Sequence, residues 1–416
     1  MDFSLFQQIQ ILPFDTSCQQ GKYLLRCKSR YFEVSFALAE LIRVLQQHDS
    51  MEKAAASFSM ASGRTYSPKE LSEICIKYLR PIFDDLPSEG NQHASTAKKG
   101  PFKKNRTFIF KFGLIPPSVV KKLASHLQFL LYPQIAIVLL LAILGCEILF
   151  FTSDLGVIHS LSGANAYAIF GTLCLFVTCS FFHELGHATA CRHFNVENGG
   201  IGCGLYLAFP VLYTDVTNIW QLTRRQRIVV NFSGVYFQLI FLLPFFLIYF
   251  TTKQEIAKLF IYTININFLF TLNPFFKFDG YWIMSDLIGV PNLRQRSMEY
   301  FSYLFKKLRR KPVVKPFLLT IKPCERWFMI IYSVVVNLFF AYFFIYVMPL
   351  IVYNFITNFW PNIKLIFENA ALGIWPDISL VVSSLLQLVF IGFILTFLYK
   401  IFAKLFNMVR SKKSIV

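Results

Sequence analysis

Apolar residues follow two different patterns along this chain. In the first 86 residues they recur at short, interrupted intervals, whereas beyond residue 128 they form long blocks. Six of these blocks come close to the roughly 20 residues that cross the hydrocarbon core of a bilayer. The pattern therefore predicts an α-helical polytopic membrane protein. Its six candidate transmembrane helices cover residues 132–151, 165–190, 229–250, 258–284, 327–352 and 380–404.

The pattern of the first 86 residues predicts a small α+β domain. The pattern of residues 22–26 and 30–35 predicts two short strands around a turn. Apolar residues at helical spacing predict a helix over residues 36–47, and a second helix is expected over 51–59. Ser67-Pro68-Lys69-Glu70 carries the cap, first-turn proline and acidic residue of a third helix start. Strands followed by a helical trio are typical of a compact, winged-helix-like cytosolic module.

The segments between these patterns set the predicted domain boundaries. Residues 87–106 lack periodicity and carry helix breakers and paired lysines, as expected of a linker with a basic end at the membrane surface. The predicted divisions are a winged-helix-like cytosolic domain at 1–86, a basic linker and membrane-surface segment at 87–128, a membrane core at 129–290, a basic cytosolic loop at 291–326, and two C-terminal transmembrane helices with a basic tail at 327–416.

The distribution of positive charge favours a membrane protein over a nucleic-acid-binding one. The formal net charge is +18, and segments rich and poor in Lys and Arg alternate between the predicted transmembrane helices. Such alternation is the positive-inside bias, and an even number of helices then places both termini in the cytoplasm. No nucleic-acid motif accompanies the charge, so nucleic acid is not expected as a partner.

The run His183-Glu184-Leu185-Gly186-His187 lies near the end of the second predicted transmembrane helix. Residues four apart share one helix face, so both imidazoles point to one place, which suits a tetrahedral zinc ion. Glu184 could then take a proton from a water molecule that the metal acidifies and pass it to a leaving amine. Ionisable groups at membrane depth are costly and are therefore functional candidates. The alternative is that His183 and Glu184 are polar contacts between helices.

A catalytic zinc ion needs a third protein ligand and an open position. The stretch from Pro274 to Gly280 offers Asp279, because Pro274 breaks the helix and Gly280 permits a turn. Irregular backbone at membrane depth is tolerated where it is buried or lines a cavity. The predicted topology brings Asp279 to the same, cytoplasmic side as the histidines. Two alternatives stay open: Asp279 as the cap of the following helix, and Asp215 as the third ligand.

These motifs resemble the site-2 protease family of intramembrane zinc peptidases, over about residues 120–300. Residues 202–216, 224–227 and 279–287 are similar to a bacterial subgroup of peptide zinc metalloproteases that accompany peptide-maturation and export systems. Many relatives carry a Gly-Pro…Asn run on the helix between the two motifs, where this chain has residues 233–238 instead.

The resemblance implies a role for each candidate residue. His183, His187 and Asp279 would bind Zn²⁺, Glu184 would be the catalytic base, and Asn273 would assist the active centre. The implied protein is a multi-pass metallopeptidase of the bacterial cytoplasmic membrane. Its expected partners are the lipid bilayer, a peptide or membrane-protein substrate, and components of peptide export or maturation.

The N-terminal module resembles the PqqD-like peptide-recognition domains of ribosomal peptide pathways. That resemblance implies that a leader peptide adds as a strand to the small sheet. A stabilising domain without a ligand is the alternative.

Three rival functions remain open at this point. The first is a non-proteolytic zinc-binding membrane partner of a peptide export or maturation system. The second is a prenyl-protein type of membrane peptidase, in which a glutamate is the third ligand. The third is a transporter with broken helices.

Overall fold

The computed structural model describes residues 3–19, 21–27, 30–79, 82, 108–153, 166–206, 209–310, 316–374 and 378–413. Helices dominate, and the chain divides into two compact units that alternate along the sequence. The first unit comprises Met1–Arg106, Thr217–Arg227 and Ser285–Met329, and the second comprises Thr107–Val216, Ile228–Met284 and Ile330–Val416.

A three-stranded antiparallel sheet begins the first unit, with β2 in its centre. The strands are β1 at Ile9–Phe14, β2 at Lys22–Cys27 and β3 at Arg30–Ser35. Leu25 of β2 lies opposite Ile11 and Phe32, which fixes its side chain on the buried face. The two predicted strands are thus confirmed, and β1 is an addition that the sequence pattern did not predict.

Four helices follow or precede this sheet: α1 at Ser4–Gln7, α2 at Phe36–Gln47, α3 at Met51–Ser62 and α4 at Pro68–Tyr78. The three predicted helices are confirmed. Ser67 caps α4, because its hydroxyl accepts from the Glu70 N–H while the Glu70 carboxylate accepts from the Ser67 N–H. Leu41, Ile42 and Leu71 are buried in an apolar core under the sheet.

A buried ion pair belongs to the same unit. The Arg227 guanidinium is only 2% exposed, and it donates to Asp286 Oδ1 at 2.7 Å and to the Asp15 carbonyl at 3.0 Å. Aromatic rings of Phe14 and Trp220 lie against it. The charged run around Arg227 therefore has a structural role here, since removing one partner would leave a charge buried without compensation.

The remaining helices belong mostly to the second unit. They are α5 at Pro117–Leu127, α6 at Pro133–Ser153, α7 at Ala166–His193, α8 at Arg224–Thr252, α9 at Glu255–Thr271, α10 at Asp279–Ile288, α11 at Leu293–Leu308, α12 at Pro323–Tyr342, α13 at Met348–Ala371 and α14 at Ile378–Lys413. Of these, α11 and parts of α8, α10 and α12 lie in the first unit.

Three helices in the described part of the chain are long and apolar enough to cross a membrane. They are Pro133–Ser153, Arg224–Thr252 and Pro323–Ala371. Each contains one predicted transmembrane helix. The third contains a π-helical turn at Phe343–Val347 and continues past its predicted end at residue 352 as far as Ala371.

The other three predicted transmembrane helices take different forms. Residues 165–190 fall largely within α7, and residues 380–404 lie within α14, whose shorter apolar stretch is Leu380–Thr396. The chain leaves the helical path after Thr271 and resumes it at Asp279, so residues 258–284 are divided between α9 and α10. The break predicted at Pro274 is confirmed.

A second antiparallel sheet lies beside the bundle, in the order β4, β5, β6, at Phe108–Ile115, Ile201–Tyr206 and Phe209–Thr214. The sequence pattern did not predict it. Its central strand is rich in glycine because neighbouring atoms come very close: a Cβ on Gly202 would meet the Phe112 carbonyl oxygen at 2.7 Å. Ile201 packs with Val120 of α5 and Leu185 of α7. Sheet and α5 therefore support the half of α7 that carries the histidines.

Candidate metal centre

Helices α7 and α8 come together through two glycines. A Cβ on Gly186 of α7 would meet the Ser233 carbonyl carbon at 2.9 Å, so only glycine allows this approach. A Cβ on Gly234 of α8 would meet ring carbons of His187 and His183 at 2.7 and 2.8 Å. The backbone of α8 therefore lies directly against both imidazole rings and limits how they can turn.

Asp279 directly follows a tight turn formed by residues 272–278. Inside it, the Asn273 side-chain oxygen accepts from the Phe275 N–H at 2.8 Å, an Asx turn that satisfies the backbone after the helix ends. The Tyr332 hydroxyl donates to the Pro274 carbonyl at 3.0 Å. A Cβ on Gly280 would collide with the Leu272 backbone, so the turn closes only over a glycine. Helix α10 then begins at Asp279.

Three predicted ligands converge. Asp279 Oδ2 lies 2.9 Å from His183 Nε2 and 3.3 Å from His187 Nε2, and the two Nε2 atoms are 3.2 Å apart. No fourth His, Cys, Asp or Glu joins this group among the described residues. Three ligands on two separate chain segments leave one position of a tetrahedron open.

The hydrogen bonds behind the rings show which nitrogens face the centre with lone pairs. His187 Nδ1–H donates to the Val230 carbonyl at 2.8 Å, and His183 Nδ1 lies 3.2 Å from Gln238 Oε1. A neutral imidazole with a proton on Nδ1 has a lone pair on Nε2. Both Nε2 atoms therefore face Asp279 Oδ2, which is buried and receives no hydrogen bond.

This donor set fits a metal cation. Three lone-pair atoms in mutual contact repel one another unless a positive charge lies among them. Tetrahedral zinc with bonds of about 2.0–2.2 Å separates its ligand atoms by about 3.3 Å. The three observed separations, 2.9, 3.2 and 3.3 Å, come close to this value.

Glu184 lies next to His183 on α7 and is buried. Its backbone carbonyl accepts from the Thr214 hydroxyl at 3.2 Å, which ties α7 to the end of β6. Glu184 is not one of the three grouped residues, which leaves it a candidate for the base and not for a ligand.

The two remaining candidates lie elsewhere. The Asn273 carboxamide is engaged with Phe275 inside the turn, so its observed contact is structural. Asp215, the alternative third ligand, lies outside the cluster in the described part of the chain. It lines a surface cavity together with Lys111, Tyr213 and Gly200.

Sequence reasoning missed the residues of α8 that surround the histidines. Gly234 makes room for both rings, while Gln238 and the Val230 carbonyl hold their Nδ1 atoms. The signal for Gly234 and Gln238 was the stretch 233–238, which stood out only as a departure from the family pattern. A backbone carbonyl such as that of Val230 carries no side-chain signal.

Sequence comparison relates the chain to one named metalloprotease. Over 117 residues it is 26% identical to a Bacillus subtilis (strain 168) protein named "Putative peptide zinc metalloprotease protein YydH". The matched segment makes up 28% of this chain and 46% of that protein, so the chain spans less than half of its length. No family model matches the chain, and neither does any solved structure.

Proposed function

We propose that this protein is a membrane-embedded zinc metallopeptidase of the site-2 protease type. It would hydrolyse a peptide bond in a membrane-associated or leader-bearing peptide. The observation that carries the proposal is the convergence of His183, His187 and Asp279, with Glu184 next to His183 in the sequence. The sequence relationship to a protein named as a zinc metalloprotease points to the same chemistry.

A zinc ion held by these residues would acidify a water molecule and polarise the carbonyl group to be cleaved. The carboxylate of Glu184, a buried residue that follows His183 in the sequence, would receive the proton of that water and deliver it to the departing amine nitrogen. Val230 and Gln238 keep the Nδ1 protons of the histidines directed away from the centre. Gly234 excludes any side chain from the space next to the rings.

The membrane setting is part of the proposal. Beyond the three helices that are long and apolar enough, we infer that α7, the α9–α10 pair and α14 also lie in the bilayer, for six passes with both termini cytoplasmic. The basic segments between alternate helices support this orientation. The proposed setting is the bacterial cytoplasmic membrane, beside components of peptide export or maturation. The N-terminal module would then receive a leader peptide from the cytoplasmic side.

Two substitutions test the chemistry in the full-length protein. Glu184→Gln keeps the size of the side chain but removes the base, so zinc content should stay at one per chain while cleavage is abolished. Asp279→Ala removes a ligand, so zinc should be lost on dialysis. Zinc is measured by mass spectrometry, and cleavage is measured on a library of peptides in lipid vesicles.

Each failure has its own meaning. Full cleavage by the Glu184→Gln variant would overturn the proposed base. Zinc retained after Asp279→Ala would point to a different third ligand, as in the prenyl-protein type. A wild-type protein that binds zinc but cleaves no peptide would favour the non-proteolytic partner of an export system.

A further inference from the structure

Gln238 is a buried amide between three helices. Its side chain is on α8 and only 1% of the residue is exposed, so water does not satisfy its polar atoms. Oε1 lies 3.2 Å from His183 Nδ1 on α7, and Nε2 donates to the Ile264 carbonyl on α9 at 3.4 Å. A buried amide without partners would be costly, and here both ends have one.

The Ile264 carbonyl decides which way the amide points. A carbonyl oxygen can only accept, so the NH₂ group of Gln238 must face it. The amide oxygen is then left facing His183, and it accepts from the Nδ1–H of that ring. The proton of a neutral His183 is thereby held on Nδ1, away from the metal centre.

The other tautomer of His183 would close the site. With its proton on Nε2, the ring would donate to Asp279 Oδ2, which is only 2.9 Å away. The two ligands would then be hydrogen-bonded to each other, and His183 Nε2 would have no lone pair for a metal. The acceptor behind the ring therefore selects between a site open to metal and a closed one.

The two histidines are held in different ways. His187 donates to the backbone carbonyl of Val230, an acceptor that no side-chain substitution removes. His183 depends on a side chain at position 238. Its tautomer can thus be changed by mutation without altering any ligand.

We propose that Gln238 is a positioning residue for metal binding, which relays the Ile264 carbonyl to His183 and keeps Nε2 of that ring free for the ion. The inference rests on the proposed zinc site. It acts through His183 and gives Gln238 no contact with the substrate.

The test compares three variants of the full-length protein in detergent. Gln238→Leu keeps the bulk but removes the acceptor. Gln238→Glu keeps an acceptor and makes it more basic. Asn265→Leu is the matched control, because Asn265 is another interhelical amide, which donates to Glu147 Oε2 at 3.1 Å and does not touch the metal group.

Zinc affinity is measured by competition with a fluorescent chelator, and Co²⁺ is used as a spectroscopic probe of the same site. We expect Gln238→Leu to weaken zinc binding by about 10–100-fold, the usual effect of losing an outer contact to a ligand. Asn265→Leu should bind zinc like the wild type. Gln238→Glu should keep zinc binding and shift the visible absorption bands of Co²⁺, because a carboxylate makes the imidazole a stronger donor.

The outcomes separate this inference from the proposed function. Wild-type zinc affinity in Gln238→Leu would overturn it, as would equal losses in Gln238→Leu and Asn265→Leu. If Gln238→Leu does not fold, Gln238→Glu decides, because it loses the donor to the Ile264 carbonyl but keeps an acceptor facing His183. Shifted Co²⁺ bands then support the positioning of His183 by residue 238, and unshifted bands overturn it. A wild-type protein that binds neither ion would overturn the zinc site itself, and the role of Gln238 with it. Zinc binding without peptide cleavage would leave the positioning role intact.

Discussion

The core of the first unit and the helices around the histidines differ in which side chains they leave exposed. In the first unit, Leu25, Ile42 and Leu71 are fully buried, as in any water-soluble domain. In α6, leucines such as Leu144 are more than half exposed. The buried positions of α7 and α8 include polar residues as well as apolar ones, among them His187 and Gln238.

This difference in the exposure of leucine side chains indicates that the two regions are surrounded by different solvents. Exposed leucine and isoleucine over a whole helix are stable against lipid, where apolar surface is not penalised. The polar residues of the bundle are inside because lipid cannot satisfy them. They are therefore concentrated where they can satisfy one another or hold an ion, and this is where the candidate metal centre lies.

The largest expected effect comes from exchanging leucine for alanine in the two regions. Leu71→Ala should destabilise the first unit by about 2–5 kcal/mol, because it leaves a cavity in a dry core. Leu144→Ala should cost only about 0.5 kcal/mol, the difference that one lipid-facing leucine makes. Urea titrations of the full-length protein in detergent measure both, with Cys75 accessibility and circular dichroism as probes. An equal loss in the free energy of unfolding at the two positions would contradict the proposed difference in solvent.

A smaller effect is expected from adding one methyl group at two glycines. Gly234→Ala places a carbon against both imidazole rings, so zinc affinity should fall by at least about tenfold. A Cβ on Gly145 of α6 would have no atom within 4 Å. The Gly145→Ala protein should therefore bind zinc normally, and its α6 should be about 0.5–1 kcal/mol more stable. Chelator competition measures the affinities. Normal zinc binding by the Gly234 variant would contradict the close approach of α8 to the rings.

The smallest effect concerns the pH dependence of stability in the core of the first unit. Burial raises the pKa of the Cys75 thiol from about 9 to about 11. As the pH rises, the unfolded chain therefore loses this proton at a lower pH than the folded chain does. The resulting stabilisation is complete below pH 9 and is lost as the pH rises through 11.

At pH 10 this loss amounts to on the order of 1 kcal/mol. Unfolding of wild type and Cys75→Ala, compared at pH 8 and pH 10, isolates the contribution. The alanine variant should lack this part of the pH dependence, although it is less stable at both values. The same pH dependence in both proteins would show that the thiol is not protected by burial.

Local signals in the sequence predicted the elements that depend on neighbouring residues. The capping box at Ser67 and Glu70 lies within one helical turn, and the break at Pro274 follows from a missing backbone donor. The spacing of His183 and His187 is likewise local, because helix geometry alone puts both on one face. These features are confirmed in the structure.

Features that depend on distant pairing could not be predicted in this way. Strand β4 pairs with β5 across the intervening helices α5, α6 and α7. The glycine-rich β5 has weak strand propensity, so only its partners reveal it. Gln238 carries no motif either, since its role depends on His183 and Ile264 lying on separate helices. Register and long-range contacts supply this information, and a single sequence does not show them.

The position of Asp279 after α8 and α9 determines when the candidate metal centre can be completed during synthesis. His183 and His187 are synthesised first, and the third ligand follows only after the whole of α8 and α9 has been made. Until α9 and the turn of residues 272–278 take their places, the two histidines form an incomplete pair. The growing chain would therefore hold no complete metal centre, and the proposed cleavage would become possible only once most of the bundle has assembled.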